Sequence, residues 1–184
     1  MKISKTTLPK NSILTSTNFE YIDSFQGDYL DAENRVSSED IGKAFFTSAP
    51  KWTARLFELR NSIVSIFGFK TSGKTNNRKE LLENFNCEPG EKLGLFAVYH
   101  RTENEVILGE DDKHLNFRIS LYKEDDEISS DRKKLTISTT VKFNNRFGKL
   151  YFLPVKPFHK LIVPKMLQGI IKQIEKSKYT NRNF

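Results

Sequence analysis

The chain has 184 residues, 37% of them apolar, with 30 Lys+Arg against 23 Asp+Glu and a formal charge of +7. That length suits one domain with a real core, and 15 Phe, 6 Tyr and one Trp exclude the composition of a disordered chain. The single cysteine, Cys87, excludes an intramolecular disulfide framework, the polar opening MKISKTTLPKNS lacks a signal core, and no run of about 18 uncharged apolar residues provides a spanning helix, so the expectation is a basic, cytoplasmic, globular protein.

Residues 1–17 are polar and read as a flexible lead-in to a single domain over 18–176, with a basic tail at 177–184. Phe19 to Phe25 alternates apolar and polar residues, which predicts a half-buried strand, and Gln26 to Val36 reads as loop. Ser37-Ser38-Glu39-Asp40 is a capping box that opens a short helix through about Ser48. Pro50 starts a second helix, in which Trp52, Leu56, Leu59, Ile63 and Ile66 form one apolar stripe ended by Gly68. A polar loop spans 70–91. Four strands follow, over Leu93–His100, Glu105–Gly109, His114–Lys123 and Lys134–Asn144. Their short connections predict antiparallel hairpins. The chain ends in a helix whose Phe158, Ile162, Met166, Ile170 and Ile174 recur every fourth residue. Pro157 suits its first turn, and Pro164 predicts a kink or restart. The fold class is α+β, with a sheet burying one face against the last helix.

Charge is segregated along this layout. The ends, residues 1–10 and 171–184, hold seven of the bases and one acid, so the body is nearly neutral. Glu103 to Asp131 holds ten acids and three bases, whereas Arg132 to Lys172 holds ten bases and no acid. Two explanations are open. The blocks neighbour and partly neutralise each other, or the final third presents a basic face to an anionic ligand, a membrane surface or nucleic acid. Neither an RNA-recognition signature nor a helix-turn-helix pattern supports nucleic acid.

Gly68-Phe69-Lys70-Thr71-Ser72-Gly73-Lys74-Thr75 matches a phosphate-binding loop at every fixed position, but a helical stripe precedes it where a buried strand is required. The alternative is a basic loop after a Gly-capped helix. His100, His114 and His159 have no zinc spacing, and no cofactor is called for. On the strand from His114, the residues His114, Asn116, Arg118 and Ser120 share one face, opposite Leu115, Phe117, Ile119 and Leu121. The polar set either faces water or serves a site, with Asp111 and Asp112 near enough in sequence to pair with Arg118. Tyr151 and His159, in the aromatic-rich stretch before the last helix, either line a cavity or cap the core with their polar ends.

Four segments together carry a resemblance. They are Pro50-Lys51-Trp52 with Leu56 to Asn61, Glu105 to Arg118, Ser138 to Val141, and Gly148 to Phe152 leading into Pro157 to Val163. In order and spacing they resemble the bacterial domain-of-unknown-function 2867 family over residues 19–174. That family is similar to the helix-grip superfamily of lipid-transfer START domains, polyketide cyclases and the birch-pollen allergen (SRPBCC). The resemblance implies a curved antiparallel sheet wrapped around a long C-terminal helix, with two short helices after the first strand and an apolar cavity between sheet and helix. Such folds have about six or seven strands, and five are legible here, so a further strand is expected in 10–17 or 86–92. The residues it marks are Trp52, Arg60, Asn61, Asp112, His114, Arg118, Tyr151 and His159.

The expected function is a binding module for a small hydrophobic or amphipathic ligand, with Trp52, Arg60, Asn61, Arg118, His114 and Tyr151 as ligand contacts. The alternative is an enzyme of cyclase, dehydratase or hydrolase type, with His114 or His159 as acid/base paired with Asp112. The third reading is anionic-surface or nucleotide binding through the basic segments.

Overall fold

The computed structural model describes residues 1–48, 82–126 and 128–180. The Ser37 hydroxyl accepts the Asp40 N–H at 3.0 Å while the Asp40 carboxylate accepts the Ser37 N–H at 3.0 Å, so helix α1, Ser38–Thr47, starts where the capping box predicts. The strands are β1 (Ile3–Thr6), β2 (Tyr21–Leu30), β3 (Lys92–Leu93), β4 (Phe96–Arg101), β5 (Glu105–Asp111), β6 (Leu115–Asp125) and β7 (Arg132–Phe143). They form one curved antiparallel sheet in the order β1-β2-β7-β6-β5-β4-β3, so the meander from β3 to β7 closes back onto β2. The C-terminal helix α2 is Arg146–Thr180. The predicted second helix and the phosphate-loop match lie outside the described residues.

Register assigns the faces. Phe25, Ile137, Leu121 and Val106 lie in one cross-strand row. They form a common core with Ile41, Ala44, Phe45 and Phe46 of α1 and Leu167, Ile170, Ile171 and Ile174 of α2. Both helices therefore cover the same face, as a helix-grip arrangement requires. Phe45, Phe46, Phe85, Phe96 and Phe117 meet edge to face at centroid distances of 5.1–5.8 Å. These aromatics pack against one another beside α1.

Four details depart from the sequence reading. The sheet has seven strands, not five, and the lead-in is not loose throughout: Ile3–Thr6 pairs with Ser24–Gly27, and Ile13–Ser16 is a 3-10 turn. β1 lies outside both windows in which a further strand was expected, and β3 begins only at the end of the second. Neither has an alternation of its own; pairing with a longer neighbour makes each a strand. β2 runs on through the expected loop to Leu30, because every residue from Tyr21 to Leu30 has a partner on β7. The last helix begins at Arg146, so Pro157 is not in its first turn, and it continues through Pro164 without a restart. Each proline deletes the bond to the carbonyl four residues back. Those carbonyls belong to Leu150, Leu153 and Lys160, three exposed residues, where solvent is at hand to take the place of the lost donor. The helix start is fixed by Asn145, whose side-chain oxygen accepts the Gly148 N–H at 3.0 Å. Gly148 abuts the His114 carbonyl, where a Cβ would collide.

The β6–β7 hairpin brings the acidic block against the first bases of the basic block. Lys133 pairs with Asp125, and Lys134 with Asp126 at 2.9 Å.

Cys87 is fully buried behind α1, with its sulfur against Gly42 and 3.9 Å from the Glu39 carbonyl. Burial, reinforced by Glu39 and Glu91, pushes its thiol up to about 12. A raised thiol pKa means the folded chain keeps a proton that the unfolded chain releases. This contribution to stability is whole below about pH 9 and is lost as pH rises toward 12. Alkylation of Cys87 by iodoacetamide at pH 8 should therefore proceed at the rate of opening, not of a free thiol. Labelling in native buffer as fast as in denaturant would contradict this.

Candidate functional site

An acid occupies the helix-facing side of β2. Alternation places Tyr21, Asp23, Phe25, Gly27 and Tyr29 toward α2, and the Asp23 side chain is 3% exposed. A buried carboxylate needs partners, and Asp23 has two. The Tyr21 hydroxyl donates to its Oδ2 at 2.7 Å, and His159 Nδ1 lies 3.2 Å from the same oxygen. Because the carboxylate only accepts, Nδ1 carries the proton, leaving His159 Nε2 uncommitted among the described residues. Tyr21 packs edge-on against Phe152 at 4.7 Å, and Lys156 stands 5.3 Å over its ring. Burial first, then the hydrogen bond and charge of Asp23, hold the Tyr21 phenol well above its ordinary range.

The second Asp23 oxygen, Oδ1, is buried without a partner among the described residues, and so is Oγ1 of Thr139. Asp23 and Thr139 are direct cross-strand partners on β2 and β7, with Ile119 next in the row. Two orphaned acceptors thus lie side by side in the seam under α2, with His159 adjoining. The carboxylate oxygen can only accept, while the threonine hydroxyl can accept or donate. Ile119, the cross-strand partner of Thr139, is buried, as are Val141 on β7 and Phe152 and Val163 on α2.

The residues chosen from sequence are placed differently. His114 and Asp112 sit at the exposed β5–β6 turn. The Asp112 carboxylate accepts the His114 backbone N–H at 3.0 Å rather than its ring, which lies beside the Asn145 amide at 3.1–3.2 Å. The structure thus brings His114 and Asp112 together as a turn, not as an acid–base pair. Arg118 is on the sheet face away from α2. Its guanidinium pairs with Asp111 at 2.8 Å, donates to the Phe117 carbonyl at 2.8 Å and stacks 3.6 Å over Tyr99. Tyr151 is half-buried near the start of α2. Of the chosen residues that are described, His159 is the one bonded to Asp23. Trp52, Arg60 and Asn61 lie outside the described residues.

Asp23, Tyr21 and Thr139 were missed. The signal for Asp23 was present: Phe19, Tyr21, Asp23 and Phe25 share one face of an alternating strand, and an acid on an otherwise aromatic face marks a buried carboxylate.

An open cleft of about 530 Å³ lies elsewhere, lined by Arg35, Ser37, Glu39, Arg101 and Lys123 among others. Its cations are already engaged. Lys123 donates to the Val36 carbonyl at 2.9 Å, and Arg101 pairs with Glu39 at 3.1 Å and with Glu88. Among the described residues no three His, Cys, Asp or Glu side chains are grouped to hold a metal ion, and no helix is long and apolar enough to cross a membrane.

No curated protein matches the sequence. A family model does, over residues 15–166, most of the chain and all of the sheet beyond β1. The chain therefore belongs to the family described as proteins of unknown function, DUF2867.

Proposed function

We propose that the chain is a binding module for a small amphipathic molecule, held in the seam between α2 and the sheet with its hydrogen-bond-donating end on Asp23 and Thr139. The observation that carries this is the pair of buried oxygens on cross-strand neighbours, Asp23 Oδ1 and Thr139 Oγ1, left without partners among the described residues. Each orphaned group costs about 1–3 kcal/mol unless something outside the chain meets it. An acceptor pair selects a donor, so an alcohol or ammonium head is favoured, whereas a carboxylate head meets the Asp23 charge and is repelled. The ligand contact proposed from sequence at Arg118 is replaced in this reading by Asp23 and Thr139.

The test compares decanol, decylamine and decanoate, which differ only in the head group. Thermal melts of the wild-type chain should rise with decanol or decylamine and stay flat with decanoate. The rise should vanish in Thr139→Val and Asp23→Asn. If none of the three moves the melt, or decanoate does so as well as the others, the reading fails.

One contact favours an enzymatic version. Asp23 orients His159 and leaves Nε2 ready to move a proton, a general acid–base arrangement. It requires that decanol-type or ester-bearing ligands be recovered chemically altered, and that His159→Gln stop the change while binding persists. Recovery of unaltered ligand leaves the binding version alone.

A further inference from the structure

A long helix on a sheet ordinarily buries one stripe and wets the other. α2 buries Phe152, Val163, Leu167, Ile170, Ile171 and Ile174. Its N-terminal half nevertheless carries a second apolar stripe on the outward side. Leu150 is 60% exposed, Leu153 63%, Phe158 42% and Leu161 67%. Leu150, Pro154, Phe158 and Leu161 recur at near four-residue steps, on the side of the helix opposite Phe152 and Val163. Lys149 and Lys160 border this stripe on one side and Lys165 lies a turn beyond Leu161; all three are exposed and form no ion pair among the described residues. The first turn of α2 contains no acid, so the positive end of the helix dipole adds to Arg146 and Lys149. No acidic residue occurs from Arg132 to Lys172.

We propose that the outward face of the N-terminal half of α2 docks on an anionic membrane surface. Apolar side chains in a stripe, bordered by lysines, are the pattern of a helix lying in the plane of a bilayer interface. Charge selects this occupant. A second copy would present the same lysines, which repel across a two-fold contact, whereas anionic headgroups neutralise them. The prolines agree with shallow insertion. The carbonyls they free belong to Leu150 and Leu153, both exposed, and such carbonyls can stay hydrated at headgroup level but not in hydrocarbon. This is independent of what the Asp23 seam binds.

The experiment is co-sedimentation of the full chain with vesicles of phosphatidylcholine alone and of phosphatidylcholine mixed with phosphatidylserine, at low and high salt. Binding should be about tenfold tighter to the mixed vesicles and should weaken with salt. Leu153→Glu with Leu161→Glu should reduce it about tenfold. Should that variant fail to fold, as seen by circular dichroism, the surface variant Lys149→Gln, Lys160→Gln, Lys165→Gln keeps the test open, since it should lose the preference for phosphatidylserine. Equal binding to both vesicle types, no binding to either, or a dimer in light scattering that Leu153→Glu dissociates would overturn the proposal, the last by assigning the face to a second copy.

Discussion

Glu105→Ala should cost about 3 kcal/mol of folding stability and lower the melting temperature by about 10 °C, the largest single loss outside the apolar core. Glu105 is 2% exposed, on the sheet face away from the helices. Its carboxylate accepts the Ser12 hydroxyl at 2.6 Å, the Ile13 N–H at 2.9 Å and the Ser120 hydroxyl. Ser12 and Ser120 are themselves 2% and 0% exposed, so alanine strands two buried hydroxyls and the part-buried Ile13 N–H, each costing about 1 kcal/mol net. Glu105→Gln separates charge from geometry. The amide retains one acceptor for the two hydroxyls but turns an N–H toward Ile13 N–H, so it should recover about half of the loss. The effect has a local signature, because these bonds tie the 3-10 turn at Ile13–Ser16 to β5. Limited proteolysis within residues 1–17 should accelerate in Glu105→Ala before global melting. A melt within about 1 kcal/mol of wild type would show that the carboxylate is not the tether.

That tether explains why the sheet was more legible than its edges. The capping box at Ser37–Asp40 is a local signal and named α1 to within a residue. The alternations of β5 to β7 are long enough to fix both strand and face. β1 and the Ile13 turn depend instead on β2 and on a glutamate far along the chain, so nothing within residues 1–17 announces them. α2 was misplaced at its start for a related reason. Pro157 reads as a first-turn residue and Pro164 as a kink or restart when only sequence is seen, but the residues four back, Leu153 and Lys160, are exposed, so the missing bonds cost little. The site was half legible. His159 stood in the apolar pattern of the helix, and Asp23 on the aromatic face of β2, yet pairing the two requires knowing that α2 crosses β2. His114 and Arg118 drew attention by residue type. Their partners, Asn145 and Asp111 with Tyr99, complete a turn and a surface pair.

Substitutions at the two cross-strand neighbours Asp23 and Thr139 should have opposite signs. Asp23→Ala removes the acceptor for the Tyr21 hydroxyl and for His159 and opens space under α2, so it should destabilise by about 2–3 kcal/mol. Thr139→Val removes a buried hydroxyl that has no partner among the described residues and fills its place with a methyl of the same shape, so it should stabilise the unliganded chain by about 1 kcal/mol. Urea midpoints at unchanged slope would measure both. A buried polar group whose removal strengthens the fold has no structural reason to be there. If Thr139→Val is stabilising and also abolishes the melting shift by decanol, the hydroxyl is held at a cost to stability for the sake of what it binds. If Thr139→Val instead destabilises by more than about 1 kcal/mol, the hydroxyl already has a partner such as an ordered water, and the seam is a structural polar contact rather than a ligand site.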